Sequence, residues 1–262
     1  MLPYFQYNSI LIGPFTIQVW GLFVALGFLA ATLFMIQLAK KCFLSKAVVL
    51  DLVVWAIIGG FIGARLFHVV FYNLDFYIIN PGEVIKFWRG GLSSLGGFFG
   101  AAAALWFFAK RRKFTWRELL PYFDIGSVSL WLGWGIGRIG CFFIHDHPGT
   151  LSHFMLAVKY PGGGRHDLGL YESILGFLLF VIFILLFKRI IKKGWGYVTG
   201  LSWAVYAISR FFLDFLRATD LAQSDIRYGY LTPAQWGMMA LILFLTLGLF
   251  WSKLQRTSGE FA

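Results

Sequence analysis

A chain of 262 residues with 59% hydrophobic, 20% aromatic and only 13% charged side chains, at a mean hydropathy of +0.73, has too little polar surface to wrap a water-soluble globule. The formal charge of +11 does not point to nucleic acid, because its Lys and Arg stand between apolar runs and not along one solvated face. Composition excludes a soluble domain and predicts an all-α polytopic membrane protein whose basic residues meet anionic lipid headgroups.

In chain order, apolar stretches long enough to cross ~30 Å of hydrocarbon predict helices at about 16–38, 47–72, 91–109, 119–137, 171–187, 196–216 and 231–251, which makes about seven crossings. The first has no basic leader and no small-residue cleavage site before it, so it is expected to be a retained span. Residues 1–262 are expected to form a single membrane domain, with the polar, Gly/Pro-rich stretch 138–170 as a small outer cap within it.

Basic side chains alternate from loop to loop. Lys40, Lys41, Lys46, Lys110, Arg111, Arg112, Lys113, Arg117, Lys188, Arg189, Lys192, Lys193, Lys253 and Arg256 fall on one side, fourteen of the 23 in the chain. The positive-inside rule makes that side cytoplasmic, with the N-terminus outside and the C-terminus inside. Cys42 and Cys141 then fall at opposite faces and imply no disulfide.

The remaining basic residues need another explanation. At the rise of an α-helix, Arg65 and Arg138 lie roughly 27 to 28 Å, and Arg210 roughly 21 Å, from the cytoplasmic ends of their spans. Three guanidinium groups on three helices are therefore expected to converge toward the outer leaflet boundary. Tyr206, Arg210, Asp214 and Arg217 follow one another at spacings of 4, 4 and 3, which places them on one helix stripe. With two Arg and one Asp, that stripe leaves a cation for an anionic ligand; an internal ion pair with a terminal snorkelling Arg is its structural alternative. Arg65, His68 and Tyr72 repeat the geometry on the second helix.

Gly135, Gly137 and Gly140 match the dinucleotide-binding glycine pattern, but they end a membrane helix and do not follow a strand, so close helix or ligand approach is their expected role. Gly59/Gly63 and Gly96/Gly100 fit the small-xxx-small packing pattern. Cys141, His145, Asp146, His147 and His153 cluster after Arg138 and raise metal binding. No metal is expected, because His-Asp-His in consecutive positions does not readily face one ion.

These residues stand in an order that resembles the prolipoprotein diacylglyceryl transferase family over most of the chain. Ile17-Gln18-Val19-Trp20-Gly21-Leu22 is similar to the family's first-helix segment, and the run Gly63 to Tyr72 to its second-helix Arg segment. Asn80-Pro81 with Trp88 to Gly97 resembles the W-x-G-G-M-S-F-H-G-G block, and Gly137 to Gly149 the signature G-R-x-G-N-F-x-N-x-E-x-x-G. Arg165-His166 ahead of Leu170-Tyr171-Glu172 resembles R-H-P-x-Q-L-Y-E. Tyr206 to Arg217, with Asp220, resembles Y-x-x-x-R-F-x-x-E-x-x-R and its following acid. The chain departs from the pattern at Leu95, where the family has the His proposed as general base, at Cys141 in place of Asn, and at Trp20 in place of Tyr.

The resemblance implies transfer of the diacylglyceryl group of phosphatidylglycerol to the lipobox cysteine thiol of a prolipoprotein, at the outer leaflet of a bacterial inner membrane, without a cofactor. It implies phosphatidylglycerol, a prolipoprotein signal peptide and membrane lipid as partners, and no nucleic acid. Arg138 and Arg210 are the expected catalytic clamps on phosphate, with His145, Asp146 or His147 as the base. Arg65, Ser94, Cys141, Gly149, Glu172, Tyr206, Asp214 and Arg217 are the expected substrate-binding set. A catalytically silent relative that binds lipid or prolipoprotein, and a transporter of anionic solutes, are the competing functions.

Overall fold

The computed structural model describes residues 1–86, 90–221 and 224–258, with side chains described through 248. Trp88 and Arg89 of the third matching block, and the side chains of Lys253 and Arg256, lie outside the described residues. The chain is mostly helical. Its long helices are α1 (Val19–Lys41), α2 (Lys46–Phe71), α4 (Ser94–Arg111), α5 (Trp116–Ile144), α6 (Leu168–Ile191), α7 (Tyr197–Leu213) and α8 (Pro233–Ser258), with a short α3 (Leu74–Ile79) after α2. Among the described residues α1, α2, α5 and α6 are long and apolar enough to cross a membrane. Each of the seven expected stretches coincides with a long helix, although the boundaries move.

The two largest shifts are at the ends of α8, which runs on to Ser258, and of α5, which continues to Ile144 where hydropathy ended it near 137. The glycines and polar residues at the end of α5 lower the local hydropathy without ending the helix. Glycine weakens a helix in water but is tolerated in a tightly packed membrane helix, because it lets a neighbour approach. A Cβ on Gly140 would lie 2.9 Å from the Phe23 Cβ, and one on Gly176 would lie 2.7 Å from the Gly135 nitrogen, so α5 is held by close backbone contacts on both sides.

The described residues form two compact units. One comprises Met35–Tyr122 and is organised by α2 against α4. Gly59 and Gly63 on α2 face Gly96 and Gly100 on α4; a Cβ on Gly63 would sit 2.6 Å from the Gly100 Cα, and one on Gly59 would sit 2.7 Å from the Gly100 carbonyl oxygen. Gly63→Ala should therefore force the helices apart and cost about 1–3 kcal/mol. Gly200→Ala on α7, where a Cβ meets nothing within 4 Å, should leave stability unchanged or slightly raised. Thermal unfolding in detergent measures both, and equal midpoints would remove the packing role.

The other unit comprises Met1–Phe34 and Phe123–Ala262. It begins with a hairpin, β1 (Ser9–Ile12) paired antiparallel with β2 (Phe15–Gln18), leading into α1. Between α5 and α6 the expected cap contains a three-stranded antiparallel sheet in the order β3 (Pro148–Leu151), β5 (Gly163–Asp167), β4 (Val158–Tyr160). Strands in an otherwise helical chain were not anticipated; each is three to five residues long, too short for period-2 alternation to register. At the far end of this unit Asp124, fully buried on α5, accepts hydrogen bonds from the Gly196 and Thr199 amides at 2.7 and 2.8 Å, and so caps α7 from a neighbouring helix.

Candidate functional site

The site is assembled where α5 ends, α6 begins and α7 ends, since three antiparallel helices bring those termini to one face. Glu172, fully buried in the first turns of α6, lies between two guanidinium groups: Arg138 of α5 at 2.9 Å and Arg210 of α7 at 3.3 Å. Arg210 also pairs with Asp214 one turn on, and Asp214 in turn lies 2.9 Å from Arg217, which pairs outward with Asp225. The Thr232 hydroxyl donates to Asp214. The result is an alternating chain of charges, Arg138, Glu172, Arg210, Asp214, Arg217 and Asp225, that runs from the helix interior to the surface.

Burial of ions is expensive unless each is paired and hydrogen-bonded. The cluster meets that condition with local devices. Arg138 stacks over Trp134, its Cζ 4.7 Å from the ring centroid, and donates to the Cys141 sulfur at 3.5 Å. Tyr206 packs among Trp131, Trp134 and Trp203 directly beside Arg210, so aromatic faces shield the pairs from lipid. Arg210 occupies the last turn of α7, where the helix dipole favours a cation.

After Ile144 the chain turns sharply. His145 takes a left-handed conformation (φ 52°), which sends successive side chains to opposite sides. His145 points into the cap, where its Nδ1 lies 2.6 Å from Asp167 and its ring stacks on Tyr4. Asp167 also accepts from the Tyr160 hydroxyl at 2.7 Å and from the Leu170 amide at 3.0 Å, so it caps α6 and anchors the sheet at once. With burial and the Asp167 carboxylate beside it, the Tyr160 phenol is held far above its ordinary range and stays protonated. Asp146 and His147 face the other way and pair with each other.

A cavity of about 330 Å³ opens there, lined by Asp146, His147, Pro148, Arg217, Leu221 and Asp225 among others. Gly149 lies behind it. A Cβ at this position would meet the Leu216 carbonyl oxygen at 2.5 Å and the His166 carbonyl oxygen at 2.9 Å, and Gly149 pairs with Arg217 across an isolated bridge. Only a glycine lets β3 dock against the turn that carries Arg217. Arg165, buried beside it, donates to the Gly149 carbonyl at 3.0 Å and to Asp220 at 3.0 Å, closing the cap onto the same turn.

Of the expected site residues, the structure thus joins Arg138, Cys141, Glu172, Tyr206, Arg210, Asp214 and Arg217 in one network, with Asp146, His147 and Gly149 at its rim. His145 belongs to the interior of the cap. Arg65 and Ser94 lie in the other unit. Arg65 is buried and donates to the carbonyls of Val84, Gly90, Gly91 and Glu83 at 2.8, 2.6, 2.9 and 2.6 Å, so its donors hold the segment after α3. Ser94 is the exposed first residue of α4, and the cap of that helix is the preceding Ser93, which accepts from the Gly96 amide. Asp167, Asp225 and the Arg165–Asp220 pair were not singled out. Only Arg165 and Asp220 carried a signal, through their place in the matching motifs.

The cap should respond to acid. His166 on β5 lies 2.7 Å from the Tyr171 hydroxyl, and burial lowers its pKa below the ordinary 6.5. The unfolded chain therefore takes up this proton at a higher pH than the folded one, and stability rises with pH across the interval between them. The contribution is complete above about 6.5 and is lost as pH falls through that value toward the lowered one. The unfolding midpoint should drop between about pH 7.5 and about pH 5, and His166→Gln should flatten that part of the profile; an unchanged profile in the variant would locate the titrating group elsewhere.

Helices long and apolar enough to span a bilayer, with a buried arginine–carboxylate network where α5 ends and α6 begins, define an integral membrane protein with a polar site. The chain belongs to the prolipoprotein diacylglyceryl transferase family, whose model it matches over residues 8–251. It is 35% identical to a phosphatidylglycerol–prolipoprotein diacylglyceryl transferase of Pseudomonas paraeruginosa over 243 residues, 90% of each chain. It is 33% identical to that of Pseudomonas fluorescens, covering 100% of this chain and 99% of the other, and 29% identical to that of Ehrlichia canis over 96% of each.

Proposed function

We propose that this protein transfers the diacylglyceryl group of phosphatidylglycerol to the lipobox cysteine thiol of a prolipoprotein, in a bacterial inner membrane, with seven crossings, the N-terminus outside and the C-terminus cytoplasmic. The observation that carries the reading is the buried Arg138–Glu172–Arg210 bridge beside the cap cavity, in a chain of this family. The orientation is supported by α6, which enters at the site through Leu168 and leaves with Lys188 and Arg189 in its last turn. The positive-inside rule then puts the basic end in the cytoplasm and the site at the outer leaflet.

The chemistry is displacement at a glyceryl carbon. A thiolate attacks, and the C–O bond to phosphate breaks with its electron pair leaving as glycerol phosphate. The enzyme must hold the phosphodiester and balance the charge that grows on the departing oxygen. Arg210, held between two carboxylates, serves as the rigid centre that positions its neighbours. Arg138, which shares one carboxylate, and Arg217, which forms a wall of the cavity, present guanidinium to the phosphate through bidentate, charge-assisted bonds. Tyr206 donates to a headgroup oxygen. Arg65 secures its own unit's loop through the carbonyls it binds.

Incubating the detergent-purified protein with phosphatidylglycerol labelled in its acyl chains and a lipobox peptide tests the reading. Label appearing on the peptide cysteine, with release of glycerol phosphate, is the expected result. Peptide or lipid binding without label transfer would replace the transferase with a silent binder, and phosphate-ester uptake into proteoliposomes with a transporter.

A further inference from the structure

We propose that Cys141, Asp146 and His147 form a zinc site whose open position receives the substrate thiol. One ligand-capable atom from each lies within 4.8 Å of the other two. Consecutive His-Asp-His residues do not readily face one ion. The left-handed turn at His145 removes that objection, since His145 goes to Asp167 while Asp146 and His147 fold back over the last turn of α5, where Cys141 stands.

The donor set fits a borderline-soft dication. Thiolate, imidazole and carboxylate are the three ligand types zinc takes, and catalytic zinc keeps three protein ligands plus one exchangeable position. Cys141 is buried, whereas Asp146 and His147 line the cavity, which leaves the cavity side for the fourth ligand. Charge also fits. A thiolate and a carboxylate supply two negative charges against a dication, so Arg138 keeps Glu172 as its counter-ion while it donates to the Cys141 sulfur. The ion takes the place of the hydrogen bond between Asp146 and His147.

The role of the metal rests on the transferase reading. This chain has Leu95 where its family pattern has a histidine, so deprotonation of the incoming thiol needs another agent. A thiol that coordinates zinc loses its proton outright, and here that proton passes to solvent. The bound sulfur then forms the S–C bond as the C–O bond to phosphate breaks, the electron pair leaving on the phosphate oxygen. The thioether product is a weaker ligand than thiolate and departs. Cys141 itself is not the nucleophile, because a diacylglyceryl thioether on it has no leaving group for a second transfer.

The test is metal analysis of the full-length protein purified in detergent without chelator and titrated with zinc. About one zinc per chain is expected, falling to background in Cys141→Ser and in His147→Ala, and retained in the control His153→Ala. Cobalt substituted for zinc should show a thiolate charge-transfer band that Cys141→Ser abolishes, and His147→Ala, at a more exposed position, serves where the cysteine variant does not fold. No zinc in the titrated wild type, or equal zinc in wild type and both variants, overturns the site. Zinc bound as expected with no transfer leaves the site standing and removes the transferase reading. Undiminished transfer by zinc-free protein does the reverse and overturns the metal's role.

Discussion

Arg138→Ala should lower the rate of diacylglyceryl transfer by about 10²- to 10³-fold, the loss of about 2.7–4 kcal/mol seen when one preorganised donor to a developing negative charge is removed. Three features single it out among the arginines. Its side chain retains 17% exposure while Arg210 retains 6%, so it can reach a ligand from within the bundle. It shares Glu172 with Arg210, so its positive charge is only partly offset. Its guanidinium plane is fixed by the Trp134 face, and a donor fixed in advance costs no reorganisation when the phosphate departs. Removing it leaves Glu172 paired with Arg210, and the unfolding midpoint in detergent separates loss of fold from loss of catalysis. Arg138→Lys keeps the charge but not the planar fork, and should recover only part of the rate. Initial rates with labelled phosphatidylglycerol decide the matter; a variant within twofold of wild type would take Arg138 off the phosphate.

The stripe that carries this network was legible because helical spacing does not depend on the rest of the fold: Arg210, Asp214 and Arg217 had to share a face. Which carboxylate they would meet was not. Glu172 is 38 residues before Arg210 in the sequence, and only the resemblance to a family motif brought it in; Asp225 lies beyond the helix in a loop with no period to read. The same limit explains the cap. His145 and His147 are equivalent by composition, and only the backbone turn at His145 decides that one packs against Asp167 and Tyr4 while the other faces the cavity. Asp124 carried no signal in the sequence, since the amides it accepts from belong to residues more than seventy positions away. Arg65 drew attention as a costly buried cation, yet what offsets the cost is a fan of backbone carbonyls, which no side-chain pattern announces. Seven apolar stretches, by contrast, needed only composition and length.

Glu172→Gln should destabilise the protein by about 3–5 kcal/mol, the usual consequence of deleting one partner from a buried ion pair. The substitution keeps the shape and removes one negative charge from between two guanidinium groups. Arg210 retains Asp214, whereas Arg138 is left over Trp134 and beside Cys141 with no carboxylate among the described residues. The uncompensated cation, more than the lost attraction, supplies most of the effect, because a charge held away from water cannot be screened. The effect should therefore persist at high ionic strength, unlike that of an exposed pair such as Arg112–Asp51. Pairing Glu172→Gln with Arg138→Gln removes one charge of each sign, so the double variant should unfold at a higher temperature than Glu172→Gln alone, and the cycle should show coupling of about 0.5–3 kcal/mol. Apparent unfolding midpoints in detergent, compared across the four proteins, measure it. Strictly additive midpoints would mean that Arg138 and Glu172 do not sense each other, and the network would lose its central link.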